Sequence, residues 1–169
     1  MDIKDRFFSY KEIDGRRILT IYDIVEIDKC NLLERIEIMA HIRQMDMAEV
    51  GQKFGIDQIG NFRSKLRTAK LTNEEYQKLA EILGVKYVNK VVFRSGYEIE
   101  SGSNSYLIRE SCLSAERTQM DIAKHFGITR QAMNIRLNTD KFTHEEMEKI
   151  IKFLGGKYES YFEMDGAKI

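Results

Sequence analysis

Apolar residues recur at helical spacing through most of the chain and alternate only in short segments. Over residues 28–44, Leu32, Leu33, Ile36, Met39 and Ala40 fall on one stripe, which predicts a first helix. Residues 48–54 predict a second helix, and residues 61–67 the centre of a third. Thr72, with Glu75 three residues later, is a capping box that opens a fourth helix. Tyr76, Leu79, Ala80 and Leu83 form its buried face, and Gly84 ends it. The period then shortens: residues 89–99 (NKVVFRSGYEI) read as strand, glycine-containing turn, strand.

The same order returns. Lys53-Phe54-Gly55-Ile56 matches His125-Phe126-Gly127-Ile128 seventy-two residues on. Leu71-Thr72-Asn73-Glu74-Glu75 matches Phe142-Thr143-His144-Glu145-Glu146 seventy-one residues on. The first copy therefore has one extra residue near its turn, within DQIGNFRSKL. Leu83-Gly84 with Lys86-Tyr87, read as a helix end, matches Leu154-Gly155 with Lys157-Tyr158. In the second copy Thr143 and Glu146 open the last helix, Met147, Ile150, Ile151 and Leu154 line it, and Gly155 stops it. Residues 160–169 (SYFEMDGAKI) repeat the hairpin, and residues 10–18 (YKEIDGRRI) are a third version of it. A lone hairpin is marginal in water, so these hairpins are expected to pair with one another, within a chain or between chains. Residues 18–26 alternate enough to prolong the N-terminal strand but could equally feed the first helix. The fold class that follows is α+β, mainly α with small β-hairpins. It divides into an N-terminal hairpin (1–27) and two four-helix modules, each followed by a hairpin (28–99 and 100–169).

Within the second copy, QMDIAKHFGITRQAMNIRL (119–137) has the layout of a helix-turn-helix. Met120, Ile122, Ala123 and Phe126 share one face; Gly127 supplies the turn, Ile128 an apolar plug, and Thr129 the cap of a second helix. Ala132, Met133 and Leu137 face inward, leaving Arg130, Gln131, Asn134 and Arg136 outside. Ile122-Ala123, Phe126-Gly127-Ile128-Thr129 and Met133 resemble the lambda-repressor-like (Xre-type) helix-turn-helix family. That family usually has an apolar residue three after Met133; here Arg136 stands there and Leu137 follows, which implies a rotated or irregular recognition helix. In the first copy Gly51 replaces the helix-crossing alanine, and Gly60 sits inside the recognition helix. Together with F/L-T-x-E-E, L-G-x-K-Y and the terminal F-x-x-D-G-x-K-I hairpin, the chain looks like a tandem fusion of small Xre-type regulators of Gram-positive bacteria and their mobile elements. The resemblance covers most of residues 30–169.

Charge sharpens this picture. The 27 basic and 27 acidic residues cancel, which argues against indiscriminate coating of nucleic acid but not against a local DNA-facing side. Residues 57–70 carry Arg63, Lys65, Arg67 and Lys70 against one acid, and residues 129–141 carry Arg130, Arg136 and Lys141 against Asp140. Acids gather in the helices that follow, at Glu74, Glu75, Glu81, Glu145, Glu146 and Glu148.

Other chemistries find little support. His41, His125 and His144 are isolated, and Glu148 occupies the position where a metalloprotease motif needs its second histidine. No paired Cys/His ligands, phosphate loop or serine elbow occurs, so neither metal, cofactor nor catalysis is expected. Cys30 and Cys112, both in helical-looking stretches, are expected to be free thiols in a reduced cytoplasm. No run reaches the roughly 18 apolar residues of a membrane span, and the mixed charges of MDIKDRFFSYKEIDG are unlike a secretion signal.

The resulting expectation is a sequence-specific double-stranded DNA-binding repressor or autoregulator. Arg130 and Gln131 would reach base edges, arginine pairing with guanine and glutamine with adenine, with Asn134 one turn on. Thr129 and Arg136 would hold phosphates. In the first copy the corresponding readers are Gln58, Asn61, Arg63 and Ser64, with Lys65 and Arg67 for phosphate. Two modules could read two half-sites about 34–36 Å apart, with the hairpins pairing within the chain or making a homodimer. The rival is a protein-binding scaffold, such as an antitoxin or an anti-CRISPR-type inhibitor of a host defence protein. It would hold its partner on exposed helix faces or on an apolar edge at Val91-Val92-Phe93.

Overall fold

A computed structural model of the chain describes residues 8–13, 16–21 and 29–169. The fold is α+β: eight helices and a four-stranded antiparallel sheet among the described residues. Strands β1 (Phe8–Ile13) and β2 (Arg16–Ile21) pair antiparallel with each other and not with that sheet. Residues 14 and 15, which join them, lie outside the described residues, as does the segment 22–28 expected either to prolong the strand or to begin the first helix.

The chain divides into two compact units: one ends at Ala69 and takes in Ile169, and the other is Lys70–Lys168. The first contains α1 (Leu32–Ile42), α2 (Met47–Phe54) and α3 (Ile59–Thr68). Helix α1 starts at Leu32, with its apolar stripe and not at the expected residue 28, because Asn31 caps it, accepting from Glu34 N–H at 3.0 Å while the Glu34 carboxylate accepts from Asn31 N–H. Cys30 consequently precedes the helix rather than lying in it. Leu33, Ile36, Met39, Val50, Phe54, Phe62 and Leu66 are among the buried residues of this unit. The Phe54 and Phe62 rings lie 5.4 Å apart.

The second unit contains α4 (Asn73–Leu83), β3 (Lys86–Phe93), β4 (Glu98–Glu100), α5 (Asn104–Ser114), α6 (Gln119–His125), α7 (Arg130–Thr139), α8 (His144–Phe153), β5 (Gly156–Met164) and β6 (Ala167–Lys168). Its core joins Val91, Leu107, Ile108, Ile122, Met133, Leu137, Met147, Ile151 and Tyr158. The capping boxes at Thr72–Glu75 and Thr143–Glu146 form as the spacing predicts. The strands begin earlier than expected. Gly84 and Gly155 take left-handed backbone, and the chain leaves the helix almost directly into sheet, so Lys86-Tyr87 and Lys157-Tyr158 are strand rather than helix end.

The sheet order is β4-β3-β5-β6, so the hairpins of the two copies join through β3 and β5. Val91 is an interior residue of this sheet, paired with Ile99 on one side and Tyr158 on the other, and is fully buried. The apolar edge expected at Val91-Val92-Phe93 therefore does not exist. At the end of β5, Asp165 and Gly166 both have positive φ (51° and 82°), the two-residue type I′ geometry that suits a hairpin's twist.

The register of β3 on β5 carries a pseudo-twofold relation. Asn89 pairs with Ser160, and these two occupy equivalent positions of the repeat, seventy-one residues apart. The Lys86–Glu163 and Val92–Lys157 pairs exchange under the same relation, as do Tyr87–Phe162 and Val91–Tyr158. Around this centre lies a buried polar cluster. Asn89 Nδ2 donates to Asn104 Oδ1 at 2.9 Å and to Asn73 Oδ1 at 3.4 Å, and Asn73 Nδ2 donates to the Gly102 carbonyl. The equivalent pair in the second copy is Ser160 Oγ with His144 Nδ1, 2.9 Å apart.

The repeat is also legible in the backbone. Left-handed residues recur at Gln44 and Glu116, Gly55 and Gly127, Ala69 and Asp140, and Gly84 and Gly155. Ile56 N–H donates to the Gly51 carbonyl as Ile128 N–H donates to that of Ala123. The helix after the turn is capped by Gln58 in one copy and Thr129 in the other, which identifies Asp57 as the extra residue.

Candidate functional site

The second copy presents its candidate surface on α5, α6 and α7. Thr118 caps α6: its hydroxyl accepts from Asp121 N–H, while its own N–H donates to Asp121 Oδ2 at 2.7 Å. The Thr118 amide, and its hydroxyl donating to the same Oδ2 at 2.8 Å, hold the Asp121 carboxyl below the usual carboxylate range. Gly127, at φ 65°, then turns the chain. Thr129 caps α7 by accepting from Ala132 N–H at 3.1 Å. Ala123, Met133 and Leu137 are buried, so the two helices are anchored through the residues the pattern selects.

Helix α7 is continuous from Arg130 to Thr139, without the irregularity that Arg136 implies. Leu137, four residues after Met133, supplies the buried contact. Arg136 lies at the edge of the core and meets Glu146 Oε1 at 2.5 Å. The other carboxylate oxygen of Glu146 accepts from Thr143 N–H at 2.9 Å, so one side chain both caps α8 and ties α7 to it. Arg130, Gln131 and Asn134 are exposed, and none of the three is held in an ion pair or side-chain hydrogen bond among the described residues. Asp140, the acid of this stretch, turns inward and accepts from Ser105 N–H at 2.6 Å.

Beside these residues is an open cleft of about 580 Å³. Cys112, Leu113, Met120 and Met133 contribute its apolar wall, and Arg109, Arg117 and Arg130 its charge; among the described residues no carboxylate lines it. Arg109 and Arg117 were not among the residues selected from sequence, although each is exposed and adjacent to the helix-turn-helix. The Arg117 guanidinium itself lies over the Phe153 ring, its carbon 5.6 Å from the ring centre, a cation–π contact. In this environment Cys112 is inert: burial pushes its thiol up to about 11, with Asp121 adding to the shift. Cys112 and the half-exposed Cys30 are both free thiols.

The first copy arranges its candidates differently. Gln58 caps α3 by position only; its side chain instead accepts from Asn61 Nδ2 at 3.0 Å. Arg63 is drawn to Glu37 on α1, at 3.1 Å. Lys65 lies over the Phe54 ring, 5.8 Å from its centre. Ser64 and Arg67 are exposed. Gly51 is buried at the crossing of α2 and α3, where a Cβ would come within 3.0 Å of the Ile56 carbonyl and 3.1 Å of the Phe62 ring.

Among the described residues no group of three His, Cys, Asp or Glu is placed to hold a metal ion. None of their helices is long and apolar enough to cross a membrane. Comparison of the chain with models of known families, with characterised proteins and with solved structures finds no match.

Proposed function

We propose that the chain is a sequence-specific double-stranded DNA-binding transcriptional regulator, a repressor or autoregulator, built from two tandem lambda-repressor-like helix-turn-helix modules. The observation that carries this reading is the set of exposed, uncommitted side chains Arg130, Gln131 and Asn134 on a helix anchored by Met133 and Leu137. Guanidinium and amide groups can each make two hydrogen bonds to a base edge in the major groove, which is the chemistry that distinguishes base pairs there. Ile135, 56% exposed on the same helix, supplies an apolar contact of the kind that meets a thymine methyl.

The test is binding to the duplex upstream of the protein's own gene, with an unrelated duplex as control. Preference for the first by about 10³-fold or more is expected, with affinity falling steeply as salt rises. The double variant Arg130→Ala/Gln131→Ala should abolish the preference. Equal binding of both duplexes by the native protein would count against autoregulation. Failure to select any sequence from a random duplex pool would defeat the DNA reading itself.

A second reading, in which the module is a scaffold for a protein partner, draws on Leu113, 73% exposed, and Met120 beside it on the cleft. The same double variant separates the two: a protein-binding scaffold would retain its partner.

A further inference from the structure

The repeat allows each residue of the second copy's surface to be compared with the one that occupies the same place in the first. Helices α1 and α5 correspond at a spacing of seventy-two residues, fixed by their caps at Asn31 and Ser103 and by the left-handed Gln44 and Glu116 that follow them. The link Met45 N–H to the Ala40 carbonyl matches Arg117 N–H to that of Cys112. Helices α3 and α7 correspond at seventy-one, fixed by Gln58 and Thr129 at one end and Ala69 and Asp140 at the other.

By this correspondence Arg109 stands where the first copy has Glu37, Arg117 where it has Met45, and Arg130 where it has Ile59. Gln131 corresponds to Gly60, and Asn134 to Arg63, whose charge is already engaged by Glu37. Thr118 corresponds to another acid, Asp46. Three arginines on one face are thus replaced by a carboxylate and two apolar side chains, and the reading glutamine by a residue with no side chain. A surface that must approach phosphates needs positive charge at its rim, and in the first copy Glu37 neutralises Arg63 instead of supplying any.

Resting on the DNA reading above, we infer that each chain reads DNA through its second module alone, one block of bases per chain, with Arg109 and Arg117 as phosphate contacts that position Arg130, Gln131 and Asn134. The first module's corresponding face stays off the DNA. The cleft beside α7 has the composition this requires, with Arg109, Arg117 and Arg130 around it and no acid among the described residues that line it. Phosphate contacts hold register without specifying sequence, so these two arginines add affinity to every duplex alike.

A matched pair of substitutions tests the assignment in the full chain. Gly60 is exposed, and a Cβ there meets nothing within 4 Å, so Gly60→Glu introduces a carboxylate without crowding. Gln131→Glu does the same at the equivalent place in the second copy. Duplexes are first selected from a random pool, the number of chains per duplex is measured by sedimentation, and thermal melts establish that each variant is folded. The expected result is one block of specified bases per bound chain. Gln131→Glu should weaken binding at least tenfold, and Gly60→Glu should leave it within twofold. Arg109→Ala and Arg117→Ala should each weaken operator and control duplexes by a similar factor and lower the salt slope by about one.

Two blocks one helical turn apart bound by a single chain, or equal loss from Gly60→Glu and Gln131→Glu, would overturn the single-module assignment while leaving the DNA reading intact. An unchanged salt slope in both arginine variants would remove their phosphate role. No enriched sequence at all would defeat both the assignment and the reading on which it rests.

Discussion

Gly51 and Phe62 occupy in the first copy the places of Ala123 and Met133 in the second. Viewed singly, Gly51 is a departure that weakens the helix-turn-helix pattern. Viewed together, the smaller residue makes room for the larger ring, which sits where the missing Cβ would be. Gly51→Ala should therefore overpack the crossing and cost about 1–3 kcal/mol. Phe62→Met should leave a void of similar cost, and the double variant should recover much of the loss. Urea unfolding of the four proteins measures the coupling, and strictly additive costs would show that the two residues act independently. The same scale separates the cysteines. Because burial raises the Cys112 thiol to about 11, iodoacetamide at pH 8 should leave it unmodified in the native protein and alkylate both cysteines after denaturation. Alkylation of Cys112 in the folded state, read by mass spectrometry, would contradict its burial. That Arg109 and Arg117 join Arg130 around one cleft was not legible in the residues. Arg109 lies on α5, outside the helix-turn-helix, and Arg117 in the link between α5 and α6, so no local pattern points to either.

Helices were the most legible elements because their ends are written in side chains. Thr72 with Glu75 and Thr143 with Glu146 bind the backbone amides that a helix leaves unpaired, and such pairs fix a start to the residue. Strand starts were less legible. After Gly84 and Gly155 the Lys-Tyr pair fits a helix end and an alternating strand equally well, and the choice is made by pairing across the sheet. The polar residue at the centre of that pairing was not read as core, although Asn89 is buried and bridges the ends of α4 and α5 through Asn73 and Asn104. Asn89→Ala should cost about 1–3 kcal/mol, since it leaves two buried amides short of a partner. A fall in thermal midpoint of several degrees is expected. An unchanged midpoint would mean that neighbouring groups or water take over its role.

At the level of the whole molecule, the order of elements and their duplication were legible, because two copies of one pattern constrain each other more than either does alone. How the hairpins join was not: strand register depends on partners seventy residues away, and pairing within a chain or between chains satisfies the same pattern. The structure places the β3–β5 pairing within the chain. The thermal midpoint should accordingly be the same at nanomolar and micromolar protein. A midpoint that climbs with concentration would reveal that association between chains contributes to the fold.

The Asn89–Ser160 centre has one more consequence. Two separate copies of a single module meeting across such an axis would be obliged to bring the same residue from both sides, and dilution would part them. Carried on one continuous chain, the strands remain at an effective concentration that the amount of protein does not alter. Freed from identity, one side of the axis is an asparagine wedged among amides and the other a serine beside a histidine. Linkage is what permits the two halves to stop being alike.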